Sequence, residues 1–162
     1  MKILIIGSVA SGKTSLARKL ENKLKVKYFE IDSIVHDDIK KIKRTNEEQK
    51  EIIDRINNEN TDWIIEGTLR KNLNYLLDYA DKIIYLNIDV KIRKRRIIKR
   101  FIKQKLRLEK CNYKPDLEML MLMYKWTNDF EENKIEFENS LEKYSDKLIK
   151  ITNDNKIEKI KL

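Results

Sequence analysis

Apolar positions along this chain fall into two kinds of segment that alternate from one end to the other. Short, nearly continuous runs rich in β-branched and aromatic residues occur at Lys2 to Ile6, Val26 to Ile31, Trp63 to Glu66, Lys82 to Ile88 and Leu148 to Thr152. Runs of that length without polar alternation predict strands covered on both faces. Between them the apolar residues recur every three or four positions, which is helical spacing. Thr45 followed by Glu48 has the form of a capping box, and Ile52, Ile53 and Ile56 then give one apolar face, so a helix is expected from about 46 to 58. After Pro115, the positions Leu117, Leu120, Met121, Tyr124 and Phe130 predict a long amphipathic helix whose methionines fill the core. Strands alternating with helices imply a parallel sheet between helical layers.

Composition adds boundaries to that picture. The 162 residues include three glycines and one proline, with no Gly/Ser-rich or Pro-rich stretch, so no linker is visible and 1–162 reads as a single domain. No apolar run reaches the roughly 18 residues of a membrane span, and the first apolar stretch is too short for a secretion signal. A lone cysteine, Cys111, makes neither an internal disulfide nor a cysteine-based zinc site. The expectation is a cytoplasmic protein. Its formal charge of +9 is concentrated: Lys91 to Lys110 hold eleven basic residues and one acid, Glu109. The basic character belongs to one segment, and the rest of the chain is close to neutral.

The segment with the clearest chemistry is Gly7-Ser8-Val9-Ala10-Ser11-Gly12-Lys13-Thr14, a complete P-loop pattern between the first strand and an amphipathic helix. Glycine is needed where backbone N–H groups turn inward around phosphate oxygens, and the positive end of the following helix adds to the attraction. Gly7, Ser8, Ala10, Ser11 and Gly12, with Lys13, Thr14 and Ser15 at the helix start, are the expected nucleotide cradle. Lys13 is placed to hold the β- and γ-phosphates of a nucleoside triphosphate, and the Thr14 hydroxyl to ligate Mg²⁺. Only Gly67 lies outside the loop, so the Asp-x-x-Gly element by which GTPases sense the γ-phosphate is missing. Asn155-Lys156-Ile157-Glu158 only loosely echoes a guanine-reading motif, with Glu where Asp belongs.

Three elements occur in order: Gly7 to Thr14, Trp63-Ile64-Ile65-Glu66-Gly67-Thr68-Leu69-Arg70, and Arg96-Ile97-Ile98-Lys99-Arg100. With them the chain resembles the adenylate-kinase-like P-loop kinases, and more narrowly the small bacterial group known as DNA topology modulation proteins. The resemblance implies a three-layer α/β/α P-loop NTPase fold with a five-stranded parallel sheet in the order 2-3-1-4-5. It also implies acceptor-binding helices at about 33–60 and a short, basic, helical lid at about 91–115. In nucleoside monophosphate kinases the third strand ends in Asp-Gly with an arginine three residues beyond the glycine; here Glu66-Gly67 and Arg70 stand at those offsets. Glu66 is then expected to orient a magnesium-bound water, and Gly67 and Arg70 to meet the acceptor. A strand-end carboxylate that only caps the next helix fits Glu66 as well.

Asp32, at the expected end of the second strand, stands where related kinases place a carboxylate facing the acceptor hydroxyl; it would take that proton, orient the acceptor, or simply cap a helix at Ser33. His36, the one histidine, reads as a surface or packing residue. In the basic segment Arg96, Arg100, Lys103 and Arg107 share a helix face. A solvated basic helix accounts for most of these charges. Arg96 and Arg100 match the family's lid pair, which would stabilise charge on a migrating phosphoryl group; Arg93 and Lys103 are secondary candidates. The adenine is expected near the lid helix and the loop Thr152 to Asn155.

Two functional classes follow. The first is a kinase that moves the γ-phosphoryl group of ATP to a small-molecule acceptor, from nucleoside monophosphates and nucleosides to other hydroxyl compounds. The second is a nucleotide-binding regulator that touches DNA through the basic segment, with phosphate contacts and no base-reading motif. The oligomeric state is not encoded in any recognisable pattern.

Overall fold

The structure, a computed structural model, describes residues 1–37, 39–109 and 114–153. Cys111, the Asn155 to Glu158 segment and the far end of the Thr152 to Asn155 loop lie outside the described residues. The strands are β1 (Lys2–Gly7), β2 (Tyr28–Glu30), the two-residue β3 (His36–Asp37) and β4 (Ile42–Lys43), β5 (Trp63–Gly67), β6 (Lys82–Leu86) and β7 (Leu148–Ile151). The α-helices are α1 (Lys13–Leu24), α2 (Ile31–Val35), α3 (Asn46–Glu59), α4 (Leu76–Tyr79), α5 (Val90–Lys105), α6 (Leu117–Glu132) and α7 (Lys134–Leu141).

Five strands form one sheet in the order β2-β5-β1-β6-β7, with every pairing parallel. Counting these strands alone, this is the expected 2-3-1-4-5. Side chains alternate across a sheet, and the alternation divides the core into two. Leu4, Ile6, Trp63, Ile65, Ile83 and Tyr85 pack on one face with Ile31, Ile34, Val35, Ile53, Leu73 and Leu76. Ile3, Ile5, Ile64, Ile84 and Leu86 pack on the other with Leu16, Ala17 and Leu20 of α1. Each buried aliphatic side chain contributes about 1.5–3 kcal/mol, whereas solvent screens most of the attraction in an exposed ion pair such as Lys50–Asp54. The strand sequences therefore carry the fold, and the numerous surface charges do not.

The capping box of α3 is complete: Thr45 Oγ1 accepts from the Glu48 amide and Glu48 Oε2 accepts from the Thr45 amide. The segment 33–60 is helical only at its ends, because β3 and β4 form a small antiparallel ladder between α2 and α3. Two other expectations need correction. The α6 stripe is turned: Leu117 and Met121 are exposed, while Met123 and Thr127 are buried. Thr127 tolerates this because its hydroxyl donates to the Met123 carbonyl oxygen within the helix. Asp32 neither ends a strand nor caps a helix, since β2 stops at Glu30, which is the N-cap of α2, and Asp32 lies in the first turn of that helix.

Candidate functional site

The carboxyl ends of β1 and β5, neighbours at the middle of the sheet, place two short segments side by side: the loop from Gly7 to Gly12 and the residues Glu66 to Arg70. The loop's geometry depends on its glycines. Gly12 has φ 101°, a left-handed conformation that costs a side-chain-bearing residue energy. Gly67 answers a different need, because a Cβ there would lie 2.5 Å from Cβ of Ile31. Gly67 is buried, so its observed role is close packing of β5 against α2.

The amino terminus of α1 has no side-chain cap and no acidic residue in its first turn. Its first amides and positive dipole end thus face the loop without a built-in anion. Ser11 Oγ, fully buried in the loop, has no hydrogen-bond partner. Lys13 Nζ donates to the carbonyl oxygen of Ser8 at 2.8 Å, folded back onto its own loop. Burial holds the Lys13 ammonium below its ordinary pKa, with Glu66 and Asp32 pulling the other way. Ser15 is exposed on α1. These features fit a polyphosphate: open helix-end amides, an unpartnered hydroxyl, and a lysine whose present acceptor is a neutral carbonyl that an anion outcompetes.

Thr14 Oγ1 donates to Glu66 Oε1 at 2.6 Å. The bond spends the hydroxyl hydrogen on the carboxylate and leaves the oxygen lone pairs for a cation. Glu66 is 4 % exposed, and burial raises its carboxyl pKa against the opposing effects of Thr14 and Lys13. Among the described residues no group of three or more His, Cys, Asp or Glu side chains could hold a metal by itself. A magnesium ion here would come with the nucleotide, with Thr14 as its protein ligand and Glu66 behind a bound water.

Replacement of Glu66 by glutamine removes a buried carboxylate that folding disfavours in its charged form, so the apoprotein should be as stable or more so. The Mg²⁺ concentration for half-maximal ATP binding should rise about tenfold, the usual cost of a lost outer-shell partner. For the native residue the sign is fixed by the raised pKa: as pH falls through it, Glu66 protonates, stability increases and magnesium-dependent ATP binding weakens. Titration calorimetry at several pH values reads both effects.

Arg70 Nη2 pairs with Asp32 Oδ1 at 3.1 Å, so the structure brings these two expected residues together. The Asp32 side chain is 74 % exposed, open to an incoming molecule. His36 is exposed on β3.

The basic residues of α5 divide into distinct environments. Arg96 Nη1 donates to the carbonyl oxygens of Ala10 and Ser11, each at 3.2 Å, and lies over Gly12. Arg100 is exposed and pairs with Glu109 at 3.2 Å. Arg93, only a secondary candidate on sequence grounds, is 1 % exposed and donates to Ser8 Oγ at 2.7 Å. Its spacing from Arg96 and Arg100 on a helix is the sequence signal that could have raised it. Nothing local in the sequence indicated that it would be buried.

No family model and no curated protein matches the sequence. Solved structures do match in three dimensions. Shikimate kinase from Bacteroides thetaiotaomicron aligns with a TM-score of 0.58 at 15% identity, covering 98% of this chain and 92% of that one. Deoxyadenosine kinase from M. mycoides with bound dATP aligns with a TM-score of 0.49 at 16% identity, covering 94% of this chain and 91% of that one. The first of these likenesses shows the architecture of this chain to be a P-loop kinase fold.

Proposed function

We propose that this chain is a cytoplasmic ATP-dependent phosphotransferase that moves the γ-phosphoryl group to a small acceptor of nucleotide or nucleoside-like size, with residues 1–162 acting as one unit. The observation that carries the reading is the reach of Arg96 across 86 positions of sequence onto the carbonyl of Ala10. A basic helix kept for solubility or for DNA has no reason to set an arginine on the phosphate loop. A lid helix has.

ATP with magnesium supplies an electrophilic phosphorus and a neutralising cation. In the proposed reaction Lys13 releases the Ser8 carbonyl and holds the β- and γ-phosphate oxygens. The Thr14 hydroxyl, bonded to Glu66, would hold a magnesium ion through its lone pairs, and Glu66 would steady that ion's outer shell; the ion would supply neutralising charge. Asp32 and Arg70, already paired, orient the acceptor. The acceptor oxygen forms its bond to phosphorus as the bond to the β–γ bridging oxygen breaks, and the acceptor proton passes to Asp32 or solvent. Little basicity is needed in so loose a transition state, so positioning and charge stabilisation dominate. Arg96, moving a short way from the Ala10 and Ser11 carbonyls, meets the charge on the migrating group, with Arg100 following once it leaves Glu109.

The test is acceptor-stimulated ADP release across nucleosides, nucleoside monophosphates and small hydroxy acids including shikimate, with Lys13→Ala as the blank. Stimulation by one acceptor class, absent in the blank, supports the proposal. ATP binding with no stimulation by any class counts against it and in favour of a nucleotide-binding regulator.

A further inference from the structure

A charged guanidinium is costly to bury, because removing an ion from water is repaid only by near-complete pairing. Arg93 meets that condition with partners from three separate parts of the chain. Its Nε donates to the Ile88 carbonyl oxygen at 2.9 Å, just before α5 begins. Its Nη1 donates to Ser8 Oγ at 2.7 Å. Its Nη2 forms an ion pair with Glu131 Oε1, near the end of α6. The face of the guanidinium also lies over the Phe130 ring, 5.7 Å from its centroid.

Ser8 is itself 3 % exposed and is held at both ends. Its hydroxyl takes the Arg93 hydrogen bond, while its carbonyl oxygen takes Lys13 Nζ at 2.8 Å and the Ser11 amide at 3.3 Å. When Lys13 turns toward a phosphate, one of the bonds that fixes Ser8 is lost. The bond from Arg93 remains, and it comes from outside the loop.

We infer that Arg93 is a positioning residue for the phosphate loop: the Glu131–Arg93–Ser8 chain holds the loop in its cradle shape from behind, independently of Lys13. The inference rests on the reading of Gly7 to Thr14 as a nucleotide cradle. Glu131 lies on another helix, yet it has a defined part here: it fixes the guanidinium so that Nη1 points at Ser8. The same anchor ties the root of α5 to the sheet, so movement of Arg96 and Arg100 must take place beyond the first turn of that helix.

Glu131→Gln and Ser8→Ala test this, since both preserve side-chain volume closely and both leave the backbone carbonyl of Ser8, the acceptor of Lys13 Nζ, in place. Each should weaken Mg·ATP binding about tenfold, the worth of one charge-assisted hydrogen bond, measured by calorimetry well below the melting temperature. Because both changes cut the same chain, the double variant should lose little more than either single one. In the nucleotide-free protein, hydrogen exchange at the amides of residues 8–12 should accelerate in both variants. Unchanged affinity and unchanged loop exchange, with only a lower melting temperature, would make Arg93 an ordinary core ion pair and overturn the inference; so would additive losses. Faster loop exchange in a chain whose wild type takes up no nucleotide would sustain the anchor and sink the kinase reading, so the two fail separately.

Discussion

Lys13→Met is expected to abolish phosphotransfer while leaving the fold intact and as stable as before or more so. The two halves of this result have one cause. The ammonium sits where burial depresses its pKa, with Glu66 and Asp32 only partly offsetting that cost. A lysine whose folded pKa lies below its ordinary 10.5 destabilises the fold wherever it is charged in both states. That cost is relieved as pH rises from the folded value toward the ordinary one. The wild-type chain should therefore gain stability relative to Lys13→Met as pH rises through that window, and the variant should match or exceed it at pH below the window. Turnover moves the opposite way. A preorganised donor aimed at developing phosphoryl charge is worth about 10²–10³ in rate, and on the proposed reading Lys13 adds to binding as well. A paired set of melting curves and ADP-release rates checks both directions. A variant that unfolds would show the Lys13–Ser8 contact to be structural, and one that still turns over would remove the lysine from the chemistry.

The contrast between what the sequence made legible and what it did not follows the range of the interactions. The central strands β1, β5 and β6 are read correctly because both faces are covered, which writes a continuous apolar run into each. The α3 start is read to the residue because its capping box is local, closed between Thr45 and Glu48. The strand β2 is harder. Among the described residues it is an edge strand that pairs only with β5, and Glu30 stands opposite Glu66 where the pairing ends. Ile31 then turns into α2 to pack against Gly67, so Asp32 falls one element later than its apolar run suggests.

The rotation of α6 was illegible for a related reason. Two registers of its apolar residues fit helical spacing, and tertiary packing, in which α6 lies against α5 and α7, selects the one that buries Met123 and Thr127. Among the site residues, the loop and Glu66 stand out from strand-end motifs alone. Arg93 does not, because its burial depends on Glu131 of a helix nearly forty positions away. A charge count places Arg93 among eleven similar residues, and three-dimensional pairing separates it from them.

Arg96→Ala is the substitution that divides the two functional classes most sharply. Arg96 Nη1 donates to the backbone carbonyl oxygens of Ala10 and Ser11 in the loop. These neutral acceptors hold the guanidinium close to the phosphate cradle, and a more negative acceptor would draw it away. If its task is to meet charge on the migrating phosphoryl group, its loss falls on the transition state: kcat with the preferred acceptor should drop about 10²–10³-fold. Affinity for Mg·ATP should hardly change, because in the proposed mechanism Lys13 and the loop amides would bind the ground state without it. Lysine should rescue poorly, since a point charge cannot reproduce a planar fork of donors. If the basic segment instead serves DNA, Arg96→Ala should leave nucleotide turnover alone and weaken DNA retention at low salt. The slope of log affinity against log salt would then fall by about one for a lost phosphate contact. Both readings place a cation on α5 and expect its loss to matter, so activity and DNA retention must be measured on the same preparation. A large drop in kcat at constant ATP affinity and constant salt slope assigns Arg96 to phosphoryl transfer; a changed slope at constant kcat assigns the helix to a polyanion outside the site.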